Sequence, residues 1–367
     1  MFQLSIKKED ILPPLLNIAG AVDKKQTVGI LSNFLLKLSN GLLSLTATDL
    51  ELEMSAQVAC ESADCSGSVT VPARKFIDII RSLDDHVGLH ILYKDELLTI
   101  KQGRSSFRLS TLAADNYPIS KDEFNNIELT LPRLALLKVI QSTYFAMSQQ
   151  DVRVFLNGLF LEFETNYIVA VAADGHRMAI NRYVCSNESQ SKLLLPRKGV
   201  HELLRLLNHI SDDNVLLYAG QSHFKLVTQQ FVFLSKLIES RFPPYNKAIP
   251  REQDKFLIID CALLKRSLAR IVILAHEKSK AVMLHLQAGQ VTLIANNNEQ
   301  EEAVDTLPAE TQGEEIKIGL NASYLLDVLN YFSDGQVKLS FSSTDSSMLI
   351  EFLLDDNYKY IIMPMKI

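Results

Sequence analysis

The sequence predicts an α+β protein made of three tandem domains of similar structure. Three helical patterns, FIDIIRSL, GVHELLRLL and YLLDVLNYF, follow Pro72, Pro196 and Asn321, which are 124 and 125 residues apart. Between the helical patterns, short runs alternate apolar and polar residues with a period of two, as half-buried strands do. A repeat that combines helices with such strands indicates an antiparallel sheet in each domain.

Other markers keep the same step along the chain. The run TATD at 46–49 matches VAAD at 171–174 and, more loosely, IANN at 294–297, and Tyr117-Pro118 matches Phe242-Pro243. An amphipathic segment opens each repeat, near 8–20, 132–145 and 261–275. Polar and charged residues cluster near 119–128 and 248–256, where we expect the joints. The predicted domains are 1–126, 127–253 and 254–367.

The strands are predicted by alternation and by the turns between them. Gln102-Gly103, Asp174-Gly175 and Asp334-Gly335 are typical turn sequences. The clearest predicted strands are 97–101, 107–110, 167–172, 178–183, 291–294 and 337–341.

Composition and charge narrow the class of protein. A chain of 367 residues with 47% hydrophobic and 22% charged residues is long enough for two or three ordinary cores. The start of the chain lacks the apolar core of a signal peptide, and no run of 18 apolar residues occurs, so we expect a cytoplasmic protein. The four cysteines lack zinc-site spacing and are expected to be reduced. A net charge of −6 argues against a simple electrostatic binder of nucleic acid.

The positive charge is nevertheless concentrated on the helices. Six helical segments (7–20, 73–83, 132–145, 197–208, 261–275 and 320–332) hold thirteen basic and five acidic residues, a charge of +8, against −14 for the rest of the chain. One interpretation is a solvated surface, since helices tolerate Lys and Arg well. The other is a shared surface that contacts a polyanion through its backbone, without reading bases.

The run ADGHR at 173–177 is the one arrangement that suggests catalysis, since Asp174, His176 and Arg177 lie together. Asp-Gly between two strands is, however, a hairpin signal, and neighbouring side chains on a strand point to opposite faces. We therefore expect a structural or binding role, no metal and no cofactor. An enzyme centred on Asp174 and His176 stays as the alternative. A buried His176 beside a second acid would favour it, and a His176 in an apolar surface groove would not.

The chain ends on an apolar run, YIIMPMKI at 360–367. The run could be a final core strand. Because Pro364 cannot donate a hydrogen bond to a central sheet, we expect the last four residues to leave the sheet. Exposed Met side chains would suit a surface that accepts several different peptides.

These segments together resemble one family, the beta subunit of bacterial DNA polymerase III, or sliding clamp. The resemblance covers essentially the whole chain, and its most specific pieces are LSLTATDLELEM (43–54), TVPARKF (70–76), QDVRVFLNGLFLE (150–162), ADGHRMA (173–179), LPRKGV (195–200), SKLIESRFPPY (235–245), NNEQEEA (297–303) and the terminal YIIMPMKI.

The resemblance implies a non-enzymatic processivity factor. It implies a head-to-tail homodimer whose six domains form a ring, with twelve helices lining a central hole. At about 9 Å between helix axes the hole would be about 35 Å across, which admits a DNA duplex. The expected partners are double-stranded DNA without sequence preference, the replicative polymerase alpha subunit, the clamp-loader delta subunit and other proteins with a clamp-binding motif. A diverged scaffold that binds proteins but not DNA stays as a further alternative.

The resemblance also assigns residues. The expected peptide-binding pocket comprises Leu156, Ala173, Gly175, His176, Arg177, Met178, Pro243, Lys247, Ala248, Ser347, Ile362, Met363, Pro364 and Met365. The family commonly has Thr, Arg and Val where Ala173, Lys247 and Ala248 stand.

Two further surfaces are expected. Family positions and the charged helices together give a DNA-facing set, namely Lys25, Arg74, Arg81, Lys138, Gln150, Arg153, Arg197, Lys198, Arg205, Lys265, Arg266 and Arg270. The resemblance places a dimer interface at Lys75, Arg104, Phe107, Ile273, Leu274, Glu299, Glu301 and Glu302. Ser106 stands where the family has a basic interface residue, which predicts weaker charge complementarity.

Overall fold

The computed structural model describes residues 1–23, 28–120, 127–186, 190–332 and 334–366. Each of the three sequence repeats begins with a strand and a helix and has a second helix in its middle. The first repeat contains β1 (Phe2–Lys7), α1 (Lys8–Ile18), β2 (Asn33–Ser39), β3 (Leu42–Thr48), β4 (Leu52–Ala59), β5 (Ser62–Asp64), β6 (Gly67–Pro72), α2 (Ala73–Ser82), β7 (Gly88–Lys94), β8 (Leu97–Gln102) and β9 (Ser105–Ser110).

The second and third repeats follow the same order. The second contains β10 (Ile127–Pro132), α3 (Arg133–Gln141), β11 (Gly158–Glu164), β12 (Tyr167–Ala173), β13 (Arg177–Val184), β14 (Ser191–Pro196), α4 (Arg197–His209), β15 (Asn214–Ala219), β16 (His223–Val227) and β17 (Phe231–Lys236). The third contains β18 (Lys255–Asp260), α5 (Cys261–Ile271), β19 (Ala281–Gln287), β20 (Gln290–Asn296), β21 (Glu302–Pro308), β22 (Glu310–Gln312), β23 (Ile316–Asn321), α6 (Ala322–Tyr331), β24 (Gln336–Phe341), β25 (Met348–Phe352) and β26 (Asp355–Ile362).

The six predicted helices and the six predicted strands are confirmed, with differences at the ends. The segment predicted at 132–145 forms a helix only to Gln141. The hydroxyl groups of Ser142 and Thr143 both donate to the Val139 carbonyl, at 3.0 Å each, and the chain then enters a 3-10 turn at Tyr144–Ala146. Such side-chain hydrogen bonds to the preceding turn compete with continuation of the helix. Among the described residues, no helix is long and apolar enough to span a membrane.

Contacts divide the chain into two compact units, and each unit joins strands of neighbouring repeats. The first unit comprises Met1–Leu136 and Lys198–Leu237. It holds a five-stranded sheet in the order β5-β1-β7-β8-β9 and an eight-stranded sheet in the order β10-β15-β16-β17-β4-β3-β2-β6. All pairs are antiparallel, and α1 packs on α2. Phe34, Phe76 and Phe233 are fully buried in this unit.

The second unit comprises Leu137–Arg197 and Ile238–Ile367. It holds a nine-stranded sheet in the order β14-β11-β12-β13-β26-β25-β24-β18-β22 and a four-stranded sheet in the order β21-β20-β19-β23, and α5 packs on α6. Side chains cap both of these helices, since Asp260 accepts from the Leu263 N–H and Asn321 from the Ser323 N–H. The domain limits at 126 and 253 stay a prediction, because strand pairing crosses from one repeat to the next in each unit.

Candidate functional site

The turn between β12 and β13 is held by Asp174. Its Oδ1 accepts the backbone N–H groups of His176 and Arg177, at 2.9 Å each, and its own N–H donates to the Arg177 carbonyl. Gly175 has φ +90°, in the left-handed region, and a Cβ there would lie 2.5 Å from the Arg153 guanidinium. Glycine adopts this backbone conformation without the strain that a side chain would add. The predicted Asp-Gly hairpin turn is confirmed.

Arg177 ties this turn to helix α6. Its guanidinium donates to Asp174 at 3.1 Å, to Asp327 at 2.5 Å and to the Phe145 carbonyl at 2.8 Å, and it stacks over the Tyr324 ring at 4.4 Å. The side chain is only 12% exposed. Arg177 thus stabilises the turn, and the N–H groups of its side chain donate to other groups of the protein.

The end of the chain lies against the same turn. Strand β26 ends at Ile362, and the Met363 N–H donates to the His176 carbonyl at 2.8 Å. The Met365 N–H then donates to the Gly319 carbonyl at 2.8 Å, while Pro364 has no N–H to offer. As predicted, β26 ends before Pro364, but Met365 forms an isolated bridge with Gly319 of β23, and Ile367 lies outside the described residues. Met363 is 49% exposed beside the exposed His176.

An apolar cluster forms the floor next to this turn. It contains side chains from one face of six neighbouring strands, namely Phe160, Val169, Val171, Met178, Ile180, Leu194, Leu349 and Ile361. Partly buried side chains pack on it and leave apolar surface open to solvent, namely Phe155, Tyr167, Ala173, Ile238, Phe242, Tyr245 and Ile249. These side chains form an apolar patch on the face of the sheet, here called the groove, and such a patch suits apolar peptide side chains. A groove with His176 exposed at its edge disfavours the alternative of an enzyme centred on Asp174 and His176.

The sequence-derived pocket residues are distributed unevenly around this groove. Ala173 and Met178 belong to its floor and edge, and Leu156 is buried in the 3-10 turn Val154–Asn157. Pro243, Lys247 and Ala248 are exposed on the segment that crosses the cluster, whereas Ser347 is half-buried just before β25.

Two predicted positions, Arg177 and Ile362, lie on the other face of the sheet. Met178 pairs with Ile361, and Arg177 pairs with Ile362. Because neighbouring strand residues point to opposite faces, Arg177 and Ile362 lie on the face away from the groove. Ile361 is the β26 residue in the cluster, and the choice between it and Ile362 needs the register of β13 against β26, which the fold supplies.

Sequence reasoning also missed the aromatic side chains of the groove. The Phe242 ring stacks on Phe160, with ring centres 4.9 Å apart, and meets the edge of Phe155 at 6.0 Å. These residues occur in the quoted family segments, but their packing depends on contacts about 80 residues apart in the chain.

The first unit repeats the backbone of this turn with different side chains. Asp49 Oδ1 accepts the N–H groups of Glu51 and Leu52, and the Lys236 N–H donates to the Glu51 carbonyl, as Met363 does to His176. Leu50 has φ +76° at the place of Gly175. Glu53, paired with Leu234, stands where Met178 stands in the second unit. A carboxylate at that position makes this equivalent site polar, so the apolar groove belongs to the second unit.

The predicted DNA-facing residues differ in how exposed they are and in whether their side chains are bound to other groups of the protein. Arg74, Arg81, Lys138, Gln150, Arg153, Lys198, Arg266 and Arg270 are exposed, Lys265 is half-buried, and Lys25 lies outside the described residues. Arg205 is half-buried and donates to the carbonyls of Leu16 and Asn17 and to Glu202. Arg197 donates to the Met147 carbonyl, and burial lowers its pKa.

Several exposed cations on the helices have acidic partners. Lys198 pairs with Asp49, and Arg270 with Asp305 at 2.6 Å. Hydrogen bonds from Ser267 and then Arg270 lower the pKa of Asp305. The positive charge of the helices is therefore partly neutralised within the fold, which weakens direct attraction to a polyanion.

The predicted interface residues lie at or beside two sheet edges, on α2 (Lys75) and in the turn after α5 (Ile273 and Leu274). Strand β9, which carries Phe107, is the edge of the five-stranded sheet in the first unit, and Arg104 precedes it. Strand β21 is an edge of the four-stranded sheet in the second unit, and Glu302 begins it. Ile273 is 75% exposed in the turn after α5. The first edge is basic and the second acidic, and an exposed Ile beside a free edge is unusual for a surface that faces water.

Comparison with known proteins gives the same assignment along the whole chain. The domain models of the DNA polymerase III beta subunit match at residues 2–121 (N-terminal domain), 130–244 (central domain) and 246–366 (C-terminal domain). The chain is 40% identical to the beta sliding clamp of Proteus mirabilis over 99% of both chains, and 38% identical to that of Escherichia coli K12 over 100% of both.

Comparison with solved structures gives the same family assignment. The crystal structure of the Pseudomonas aeruginosa DnaN sliding clamp bound to griselimycin is 39% identical, covers 100% of both chains and has a TM-score of 0.96. That of the Caulobacter crescentus beta sliding clamp is 31% identical, covers 100% of this chain and 99% of that one and has a TM-score of 0.95. The chain therefore belongs to the family of bacterial DNA polymerase III beta subunits, the beta sliding clamps, which are non-catalytic processivity factors.

Proposed function

We propose that the chain forms a head-to-tail homodimeric ring around duplex DNA and tethers its partners through the apolar groove of the second unit. The observation that supports this most is the pair of unlike sheet edges, β9 and β21, on one chain. A contact between two different surfaces either closes into a ring or grows into a filament. Three repeats per chain make a six-domain ring from two copies.

In the proposed interface, Phe107 of one copy faces Ile273 and Leu274 of the other. Strands β9 and β21 would extend one sheet across the junction, which satisfies the free backbone groups of both edges. Lys75 and Arg104 would lie near Glu299, Glu301 and Glu302, and opposite charges would set the register of the two copies.

The proposed hold on DNA is topological. The whole chain is acidic, with a charge of −6, and part of the helical charge is paired within the protein. Direct binding to DNA should therefore be weak and salt-sensitive, while a closed ring cannot leave a circular molecule. The residues proposed to face DNA are those predicted from the sequence, with Arg74 and Arg266 more available than the half-buried Arg197 and Arg205. We place this activity in the cytoplasm.

The proposed partners are the polymerase alpha subunit, the clamp-loader delta subunit and other proteins that carry a clamp-binding motif. Such a motif presents a Gln and bulky apolar side chains. The apolar groove would take the apolar side chains, and the exposed edge at His176 and Met363 would meet the polar ones. Ile361 replaces Ile362 in the proposed pocket, because Ile361 lies on the groove face.

The test combines mass with processivity. Sedimentation should give a particle of about 82 kDa, twice the chain mass of 41.2 kDa. With the clamp loader and ATP, primer extension by the cognate polymerase should lengthen strongly on addition of the protein. A monomer that binds the motif peptide without lengthening the products would indicate the alternative of a protein-binding scaffold.

A further inference from the structure

One wall of the proposed pocket is the short segment that carries three of the predicted pocket residues. These three residues do not hold the segment in place. Pro243, Lys247 and Ala248 are all exposed on this segment, which crosses the sheet between the end of the second repeat and β18. Exposed side chains fix a backbone poorly, since they bury little surface. The position of the segment must therefore come from the residues that pack on the cluster, Phe242, Tyr245 and Ile249.

Phe242 supplies an apolar contact. Its ring is nearly parallel to that of Phe160, at an interplanar angle of 14°, and both belong to the apolar cluster. Aromatic stacking holds a ring against a surface but permits sliding and small rotations. This contact alone leaves the 3-10 turn Tyr245–Ala248 free to shift along the sheet.

Tyr245 supplies a directional contact. Its hydroxyl donates to Glu162 Oε2 at 2.6 Å, and Lys192 Nζ lies 2.6 Å from Glu162 Oε1. Glu162 is 8% exposed and lies directly opposite Lys192 in the β11–β14 pair. One carboxylate thus accepts a hydroxyl on one oxygen and an ammonium on the other, and both oxygens are used.

The protonation of the pair agrees with this geometry. Burial, followed by the hydrogen bond to Glu162, raises the pKa of Tyr245 well above its ordinary value. Tyr245 therefore remains a hydroxyl, and a donor, across the physiological pH range. Hydrogen bonds to a charged acceptor are about twice as strong as neutral ones, so a single bond can define the position of the turn.

We propose that Glu162 and Tyr245 are positioning residues of the peptide pocket, which hold the turn carrying Lys247 and Ala248 in its peptide-binding position. This rests on the proposed function of the groove. Neither residue need touch the peptide. Without the hydrogen bond, the turn spends part of its time displaced, and the measured Kd rises in inverse proportion to the fraction of chains that remain competent.

The experiment compares Tyr245→Phe and Glu162→Leu with wild type. Each is titrated into a fluorescein-labelled peptide containing Gln-Leu-Ser-Leu-Phe, and Kd is read from anisotropy. We expect both variants to bind about five- to ten-fold more weakly, the scale of one lost hydrogen bond. Glu162→Gln, whose amide oxygen can still accept from Tyr245, should recover most of the affinity. The matched control is Tyr183→Phe, which removes a hydroxyl from a half-buried tyrosine of β13 outside the groove and should bind like wild type.

Two further readouts separate positioning from general destabilisation. Hydrogen exchange of the amides at Tyr245–Ala248 should accelerate in Tyr245→Phe, while exchange in β12 and β13 stays unchanged. A double variant, Tyr245→Phe with Glu162→Leu, should bind about as weakly as either single variant, because both remove the same contact. Independent, multiplying losses would overturn the inference, and so would wild-type affinity in Tyr245→Phe.

Failure of the pocket itself would look different. If wild-type protein does not bind the peptide, the proposed function of the groove fails. If wild type binds, and removal of Met363–Ile367 abolishes binding, but Tyr245→Phe has no effect, only the positioning role is refuted. Tyr245→Phe, which removes only the hydroxyl, keeps the test valid if Glu162→Leu fails to fold.

Discussion

Removal of the last five residues, Met363–Ile367, should abolish most peptide binding and leave the dimer intact. The deletion takes away two backbone hydrogen bonds, from Met363 to His176 and from Met365 to Gly319, at 2.8 Å each. Each is worth about 1 kcal/mol, so the free energy of unfolding should fall by about 2 kcal/mol. Strand β26 ends at Ile362 and keeps its pairing with β13 and β25.

The deletion should weaken peptide binding more than this loss of stability alone would. Met363 is half-exposed beside His176, and Pro364 and Met365 are half-buried next to it. Removing them takes away one wall of the groove, and losing a binding hot spot costs about 2 kcal/mol or more. That corresponds to about a thirty-fold rise in Kd.

The assay is an anisotropy titration of the labelled motif peptide, with the mass of the truncated protein measured by light scattering in the same buffer. Lys366→Ala, which changes an exposed side chain and keeps the wall, is the control and should bind normally. A truncated protein that is dimeric and binds the peptide with wild-type affinity would show that the pocket lies elsewhere.

Three other outcomes are expected. Replacing Ile273 and Leu274 together by Ala should give monomers by sedimentation, since each buried side chain contributes about 2–5 kcal/mol to a packed interface; a stable dimer would refute the proposed interface. Arg177→Leu leaves the carboxylates of Asp174 and Asp327 without their cation, so the free energy of unfolding, measured in urea, should fall by about 1–3 kcal/mol. An unchanged midpoint of urea unfolding would contradict this. Asp305 has a folded-state pKa below its ordinary value, so its stabilising effect is present above about pH 4 and lost as the pH falls through the folded value. Asp305→Asn should therefore show a shallower loss of melting temperature between pH 5 and 2.5, and a slope identical to wild type would contradict this.

Regular elements and the repeat could be predicted from the sequence because their signals are local. The spacing of apolar residues, with a period of 3.6 in helices and 2 in strands, is visible within a few neighbouring residues, and the pair Asp174-Gly175 is by itself typical of a hairpin turn. The end of α3 could not be predicted by periodicity, because the hydroxyls of Ser142 and Thr143 end the helix where apolar residues continue.

The details of the site depend on contacts between distant parts of the chain. Tyr245 and Glu162 are 83 residues apart, and Arg205 donates to Leu16 from a distance of 189 residues. The sequence presents Arg205 as one more basic helix residue, whereas the fold turns it inward. Charge counting thus located the basic helices but not which charges remain free. The choice between Ile361 and Ile362 likewise depends on the register of β13 against β26, strands that lie far apart in the sequence.

The central claim is that the protein holds DNA by encircling it. The most direct measurement loads the protein with its clamp loader and ATP onto a nicked circular plasmid, removes free protein by gel filtration at moderate salt, and then cuts the plasmid once with a restriction enzyme. We predict that the protein co-elutes with the circle and is released when the circle becomes linear. Equal retention on circular and linear DNA, or tight binding to short linear duplexes without the loader, would contradict a topological hold.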